Sequence, residues 1–155
     1  MTISDRSLAT LVRRLQDLPG QHLFQYEDAD GACAVGSDEV NAYIREAMGA
    51  DFSAKHFRTF HASSLAFERL ATGEGHVKLS QMLEHVAERL GNTPAIARSS
   101  YVHPAVIARI EGQEDWRKGL QLPRKTRWLT RTERGLIAFL EECGAASDFL
   151  SCDQG

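Results

Sequence analysis

A tyrosine in a turn-rich segment is the first residue of this sequence that could do chemistry. Tyr101 follows Asn92 by nine residues and lies between Arg98 and His103, in the stretch LGNTPAIARSSYVHPAVI. A phenol has a pKa near 10, so a nucleophilic tyrosine needs neighbouring cations to stabilise the charge that develops during attack. From this stretch alone, a half-buried aromatic side chain with a purely structural role stays open as the alternative.

A pair of cations at helical spacing could supply that charge. Lys55 and Arg58 lie three residues apart in AKHFRTF, near the start of a predicted helix, so they share one face. Two cations near the positive end of a helix are unfavourable together unless an anion lies between them, and a phosphate is such an anion. Otherwise both would face solvent or pair with an acid, and Asn92 would be an ordinary turn residue after Gly91.

The elements that must position these residues are predicted to be mainly α-helices in a single domain of 155 residues. The stretch HLFQY is predicted as a short strand or an extended connector, followed by the acidic turn EDADG. The predicted helix starts are Ser4 or Asp5, Ser37, Ser53, Ser80, Thr93 with Pro94, Pro104, and Thr130 in a capping box with Glu133. The predicted helix ends are the stretch DLPG from Asp17 to Gly20, and then Gly49, Gly73, Gly91 and Gly144.

The composition excludes several classes of protein. Hydrophobic residues make up 43% and charged residues 25%, as in ordinary globular domains. No apolar run approaches the roughly 20 residues that a membrane span needs, and the N-terminus lacks the apolar region of a signal peptide. The odd set of Cys33, Cys143 and Cys152 has no CxxC spacing. We therefore expect reduced thiols in the cytoplasm and no membrane association.

The charge is unevenly distributed. A net charge of −3 does not indicate a nucleic-acid binder. A basic stretch nevertheless lies near the C-terminus, comprising Arg117, Lys118, Arg124, Lys125, Arg127, Arg131 and Arg134. Such a cluster fits either a phosphate-facing surface or a solvated face. The sequence shows no P-loop and no HExxH or similar metal-ligand spacing.

Taken in order, these motifs resemble the catalytic domain of type IB DNA topoisomerases, specifically its C-terminal part in the compact bacterial and poxvirus-like branch. The resemblance is carried by LPGQHLFQYEDADG, VNAYIREAMGADFSAKHFRTFHASSLA and LGNTPAIARSSYVHPAVI, and covers residues 5–110. Residues 111–155 would add the basic stretch and a C-terminal helix. The resemblance implies the compact helical DNA breaking-rejoining fold that these enzymes share with tyrosine recombinases.

The resemblance also implies roles for individual residues. Tyr101 would attack a DNA phosphodiester and form a 3′-phosphotyrosyl bond, Arg58 would hold the non-bridging oxygens, and Asn92 would hydrogen-bond a phosphate oxygen. Further DNA phosphate contacts are expected from Lys55, Arg98 and His103. One strand of double-stranded DNA would be cleaved transiently and rejoined without metal or ATP. We expect a monomer that acts on DNA in the cytoplasm, at the nucleoid.

Several positions depart from the family pattern. His56 stands where the family usually has Asp, and Phe60 where it has Trp. The family also places an Arg and a Lys on an N-terminal β-hairpin, and this Lys protonates the leaving 5′-oxygen. No GKxG hairpin motif is present, and Arg6, Arg13 and Arg14 on a predicted helix are poor substitutes. We therefore expect a partial catalytic domain, completed by an upstream N-terminal half and weakly active or inactive alone.

Two other functions are compatible with the same residues. A tyrosine recombinase shares the mechanism and the Arg, LGH and Tyr skeleton, but recombinases usually carry HxLRH around the second Arg. The corresponding stretch here is KHFRTF, with Thr59 after Arg58, which favours the topoisomerase. The second alternative is a catalytically inert DNA-binding remnant that has kept the fold. Covalent trapping on DNA would separate an enzyme from a remnant.

Overall fold

The computed structural model describes residues 4–143, most of which are helical. The chain divides into two compact units, the first ending at Ala54 and the second beginning at Lys55. The prediction of a mainly α-helical fold is confirmed, whereas the single domain stays a prediction. The predicted helix stop at Gly144 and the Cys152 thiol lie outside the described residues, as does the remainder of the chain after residue 143.

Within residues 4–143 the elements are, in chain order, α1 (Arg6–Gln16), β1 (Gln25–Asp28), β2 (Gly31–Ala34), α2 (Ser37–Met48), α3 (Ala54–Thr72), α4 (Leu79–Leu90), α5 (Pro94–Ile96), a π-helical turn (Ala97–Tyr101), α6 (Pro104–Ala108), α7 (Gln113–Gly119) and α8 (Arg131–Cys143). Helices α1 and α2 and both strands belong to the first unit. The elements from α4 onward belong to the second unit, as does α3 apart from its first residue.

Side-chain caps fix several of the helix starts, as predicted. The Asp5 carboxylate accepts a hydrogen bond from the Leu8 N–H at 2.7 Å and begins α1. At α8, the Thr130 N–H donates to the Glu133 carboxylate at 2.7 Å, and the Glu133 N–H donates to Thr130 Oγ1 at 3.2 Å. These bonds pair N–H groups that a helix leaves without internal partners, which is why the sequence signals were reliable.

Two predicted caps are wrong. Ser37 is the first residue of α2, and Gly36 is its cap, in extended backbone. The Gly36 N–H donates to the Glu39 carboxylate at 2.8 Å, so a glutamate at the third helical position closes the turn without a serine cap. Ser80 lies inside α4, whose cap is Lys78. In both cases the extended residue that caps the helix lies earlier in the chain than the predicted serine.

The predicted strand near HLFQY is present and forms an antiparallel hairpin. In this hairpin Gln25 of β1 pairs with Ala34 of β2, and Asp28 pairs with Gly31. The Asp28 carboxylate accepts a hydrogen bond from the Asp30 N–H at 2.8 Å, which stabilises the acidic turn. The hairpin carries acids but no Lys or Arg. It therefore differs from the hairpin that holds the family's general-acid lysine.

The core of the second unit forms around the buried face of α3. Its fully buried side chains include Phe67 and Leu70, which pack with Met82 of α4 and Leu136 of α8. An aromatic group joins α3, α7 and α8, with Phe67 and Trp116 ring centroids 5.5 Å apart, Phe67 and Phe139 at 5.7 Å, and Trp116 and Phe139 at 5.9 Å. Burial of these apolar side chains is the main force that holds α3 in place.

A polar link, here called the Gln113–Arg117 brace, secures the far end of α3. The Gln113 side chain is 1% exposed; its oxygen accepts from the Val77 N–H at 2.8 Å, and its nitrogen donates to the Val77 carbonyl at 3.0 Å. Arg117 donates to the Leu70 carbonyl at 2.8 Å and to the Gly75 carbonyl at 2.9 Å. The brace thus satisfies backbone groups at the C-terminal end of α3 and in the following loop.

Candidate active site

The predicted cation pair lies at the start of α3. Lys55 and Arg58 are both exposed, on the first two turns of the helix. The buried residues of α3 come later, between Ala62 and Leu70. One end of the helix is therefore anchored in the core while the other presents both cations. Their spacing places them on a common face, as predicted.

Arg58 contacts both of the other predicted catalytic segments. Its Nη2 donates a hydrogen bond to the Leu90 carbonyl at 3.1 Å, at the last residue of α4. Its Cζ lies 5.2 Å from the centroid of the Tyr101 ring, in a cation–π arrangement. A guanidinium has five N–H donors, and this hydrogen bond uses one of them. Arg58 therefore bridges the end of α4 and the tyrosine while keeping donor capacity for an anion.

Asn92 follows the end of α4 in a fixed turn. Gly91 adopts the left-handed conformation, with φ of +65°, and ends the helix as predicted. The Asn92 N–H donates to the Ala87 carbonyl at 2.9 Å. The side-chain Nδ2 is buried and has no hydrogen-bond partner among the described residues. An unpaired buried amide costs roughly 1–3 kcal/mol, so this nitrogen is a donor in need of an acceptor.

Tyr101 is the last residue of a π-helical turn. Pro94 opens the preceding helical turn, and the Val102 N–H donates to the Ala97 carbonyl at 2.9 Å, a bond that spans five residues. The tyrosine is half-buried and packs against the edge of the core. Short π-helical segments are energetically poor and occur often at functional sites. The turn ends at Tyr101, beside the Arg58 guanidinium.

Ser63 is a residue of the site that the sequence analysis missed. It is 2% exposed, on the buried face of α3. Its hydroxyl donates to the Tyr101 carbonyl at 3.3 Å and accepts from the His103 N–H at 3.0 Å. The same helix that carries Arg58 therefore also holds the backbone on both sides of Val102. The available signal was the small polar pair in HASSLA, which lies between the apolar residues Ala62 and Leu65.

The remaining predicted phosphate contacts differ in availability. Arg98 is exposed in the π-helical turn. His103 is the cap of α6, where its Nδ1 accepts a hydrogen bond from the Ala105 N–H at 3.2 Å. Partial burial lowers the His103 pKa, which favours the neutral ring. A phosphate contact from His103 would therefore use the neutral Nε2–H, not a positive charge.

Comparison with known proteins identifies the family. Residues 3–121 match the family described as "Eukaryotic DNA topoisomerase I, catalytic core". The chain belongs to this topoisomerase I family. The matched range includes Arg58, Asn92 and Tyr101, together with α3, α4 and the π-helical turn that carry or adjoin them.

This topoisomerase-family chain is also similar in sequence to a viral protein. DNA topoisomerase 1B of Acanthamoeba polyphaga mimivirus is 32% identical over 106 residues, which cover 59% of this chain and 32% of the viral protein. The chain thus spans about a third of the length of that relative. The bacterial and poxvirus-like branch, and the position of this chain within a longer catalytic domain, stay predictions.

Two further observations bear on the chemistry that the chain supports. Within residues 4–143, no group of three or more His, Cys, Asp or Glu side chains is arranged to hold a metal ion. None of the helices described is long and apolar enough to cross a membrane.

Proposed function

We propose that this chain carries the strand-cleavage site of a type IB DNA topoisomerase, with Tyr101 as nucleophile. The Tyr101 oxygen bonds to a DNA phosphorus, the bond from phosphorus to the 5′-oxygen breaks, and a 3′-phosphotyrosyl intermediate forms. The phenol proton is released and the leaving 5′-oxygen takes up a proton. Attack by the 5′-hydroxyl reverses each step, so the phosphodiester is restored with no net consumption of bond energy.

One observation carries this proposal: the Arg58 guanidinium lies 5.2 Å from the Tyr101 ring centroid, in a chain of the topoisomerase I family. A phosphate attacked by the phenol would lie within reach of the same guanidinium. Paired N–H donors match two non-bridging oxygens, which gain negative charge as the attacking bond forms. Arg58 therefore stabilises the transition state more than the ground state.

Asn92 supplies the second donor. Its buried, unpartnered Nδ2 lies just beyond Leu90, whose carbonyl accepts from Arg58. A phosphate oxygen would satisfy this amide and place it beside the guanidinium. Lys55 adds positive charge one turn before Arg58 on α3, and Arg98 adds a cation within the tyrosine turn. Both are exposed and would contact neighbouring phosphates of the backbone.

Ser63 acts as a positioning residue in this proposal. Its hydroxyl joins α3 to the backbone at Tyr101 and His103, across separations of 38 and 40 residues. Arg58 lies on the same helix. The nucleophile and the guanidinium are thus both attached to α3. Small backbone shifts should move them together, so that their relative geometry is preserved.

The experiment is covalent trapping on DNA with a sulfur leaving group. The substrate is a pool of duplexes with randomised sequence around one 5′-bridging phosphorothiolate. A thiolate is a far better leaving group than an alkoxide, so cleavage needs no general acid, and the released thiol reseals poorly. The 155-residue chain should form an adduct that resists denaturation, while Tyr101→Phe should form none. Binding by Tyr101→Phe should persist, since phosphate contacts dominate affinity.

The same substrates distinguish the alternatives. Both duplexes are nicked so that the fragment bearing the leaving 5′-atom is short and dissociates, which prevents resealing on either one. Adduct on the sulfur duplex but not on its oxygen counterpart would then assign the general acid to another segment of the enzyme. Equal reaction on both would assign it to this chain, and Lys55→Ala is the first variant to test. If folded protein binds the sulfur duplex without any adduct, an inert DNA-binding remnant describes the chain better than an enzyme.

A further inference from the structure

An exposed aromatic tip marks the connection between α7 and α8. Residues 120–130, here called the Trp128 loop, contain no helix or strand. Trp128 is 79% exposed, more than any other large apolar side chain that the structure describes. The Arg127 guanidinium lies 4.6 Å from the centroid of its ring. A tryptophan in this position leaves a large apolar surface in contact with water, which is unfavourable. The exposure therefore points to a contact surface for a partner.

Arginine side chains of α8 hold the backbone of the first half of this loop. Arg131 donates from Nε to the Pro123 carbonyl at 3.3 Å and from Nη2 to the Leu122 carbonyl at 3.2 Å. The Arg134 side chain donates to the Arg124 carbonyl. Arg131 and Arg134 of α8 thus hold the first half of the loop through its backbone carbonyls. Of the predicted basic stretch, these two and Arg117 contact backbone carbonyls of the chain itself.

The tip of the loop is a closed turn. The Thr126 N–H donates to the Leu129 carbonyl at 2.9 Å, and the Leu129 N–H donates back to Thr126 Oγ1 at 3.0 Å. Thr126 Oγ1 also accepts from the Trp128 N–H at 3.3 Å. Arg127 and Trp128 therefore project from a turn whose backbone is already ordered. A partner that binds them pays little of the entropy of ordering the loop.

The charge of the loop selects the class of partner. Arg124, Lys125 and Arg127 are exposed, and residues 120–130 contain no acid. The nearest acid that follows, Glu133, is engaged in the cap of α8. The protein has a net charge of −3, but this loop presents three cations and one planar aromatic ring. The cations suit the phosphates of a polyanion, and the ring suits the planar faces of its bases.

We propose that the Trp128 loop is a second DNA contact, separate from Arg58, Asn92 and Tyr101, which are here called the Arg58–Tyr101 cluster. Arg124, Lys125 and Arg127 neutralise backbone phosphates, and Trp128 packs against a deoxyribose or a base face exposed at a nick or frayed step. The choice of DNA among polyanions rests on the proposed topoisomerase function. The contact itself rests on the exposure, charge and rigidity of the loop.

Intrinsic fluorescence gives a direct test because the chain has two tryptophans. Trp116 is half-buried against Phe67 and Phe139, whereas Trp128 is exposed. With a nicked 20-base-pair duplex as probe, Trp116→Phe, which keeps Trp128, should show quenching on DNA addition. Trp128→Phe, which keeps Trp116, should show almost none. No quenching in Trp116→Phe at saturating DNA would overturn the proposal.

Salt dependence tests the cations. The triple variant Arg124→Gln, Lys125→Gln, Arg127→Gln should lower the slope of log affinity against log salt by about 2–3, because each phosphate contact contributes ~0.9. The matched control removes three exposed cations elsewhere: Arg13→Gln, Arg14→Gln and Lys118→Gln. Both triples change net charge equally, so the control should lower the slope by less than about 1. Equal slopes in the two triples would contradict the proposal.

Two further arms separate this inference from neighbouring ones. The binding assays use the Tyr101→Phe background, so their outcome is independent of the covalent chemistry. Failure of the adduct assay with intact loop effects would remove the proposed function and leave the loop contact. Vesicles containing phosphatidylserine serve as a competing polyanion. A Trp128 response to vesicles but not to DNA would overturn the proposal in favour of a membrane surface.

Discussion

The Gln113–Arg117 brace and the Arg58–Tyr101 cluster use the same side-chain types in opposite ways. Arg117 is half-buried and donates to two backbone carbonyls and to the Gln113 side chain. Arg58 is exposed, donates to one carbonyl, and otherwise lies over an aromatic ring. The contrast separates a guanidinium that completes the fold from one that keeps donors for a ligand.

The amide side chains repeat the contrast. Both polar ends of Gln113 are paired with backbone groups in the interior. Asn92 has a buried Nδ2 that finds no hydrogen-bond partner within residues 4–143. Folded chains rarely leave buried donors unpaired, since each one costs stability. The two regions therefore show where stability and function diverge. The brace pairs its polar groups and stabilises the fold, whereas the cluster keeps an unpaired amide that lowers stability until a bound phosphate accepts its hydrogen bond.

The largest effect should come from replacing each of the two arginines with alanine and comparing the cleavage rate with the stability. Arg58→Ala should slow adduct formation on the phosphorothiolate duplex by about a hundredfold, as expected for one lost transition-state contact. Its free energy of unfolding should change by less than about 1 kcal/mol, because the side chain is exposed. Arg117→Ala should do the reverse and lower unfolding stability by about 1–3 kcal/mol through the unpaired carbonyls. Single-turnover rates and urea unfolding measure both; a stability loss in Arg58→Ala larger than in Arg117→Ala would break the comparison.

The two amides should separate in the same way. Gln113→Ala leaves the buried Val77 N–H unpaired and should cost about 1–3 kcal/mol, seen as a lower urea midpoint. Asn92→Ala removes an unpaired donor and should leave stability unchanged or slightly higher, yet slow adduct formation about tenfold or more. If Asn92→Ala destabilises the chain as much as Gln113→Ala, its amide is structural and the site assignment loses its second donor.

Ser63 combines features of the two regions. It is buried, like the residues of the brace, but its hydroxyl holds the backbone of the proposed catalytic tyrosine. Ser63→Ala removes the bonds to Tyr101 and His103 and should slow adduct formation by about threefold to tenfold, the equivalent of one net hydrogen bond. Ser63→Thr keeps the hydroxyl and should restore most of the rate, and DNA affinity should be similar in all three proteins. A purely structural role would instead lower stability in Ser63→Ala with the cleavage rate of folded protein unchanged.

The smallest effect concerns His103 and pH. Its pKa is lowered in the folded chain, so the unfolded chain binds a proton more readily. The stabilising contribution is present above the unfolded pKa of about 6.5 and is lost as pH falls below it. The unfolding midpoint should therefore decline between pH 7 and pH 5 more steeply in the parent than in His103→Asn. Asparagine keeps an N-cap acceptor without titrating; identical pH profiles would exclude this contribution.

The caps and stops show how much of the fold could be predicted from sequence. Asp5, Thr93 and the Thr130–Glu133 box were predicted correctly because a cap is a local contact between residues three apart. The Gly91 stop follows from the left-handed backbone that glycine tolerates. The errors at Ser37 and Ser80 arose where a neighbouring extended residue competed for the cap position. Local chemistry predicts that a helix begins there, but not always at which residue.

The candidate site divides along the same line. Sequence by itself determined which residues could act: Tyr101, Asn92 and the cation pair were marked by type, order and spacing. Only the tertiary structure decided that Arg58 lies over the Tyr101 ring, that Asn92 keeps an unpaired amide, and that Ser63 holds the tyrosine backbone. The two contacts of Tyr101 join residues 43 and 38 positions apart, and the unpaired amide depends on burial. Such contacts form when the apolar face of α3 packs against α4 and the tyrosine turn, and no local pattern encodes that packing.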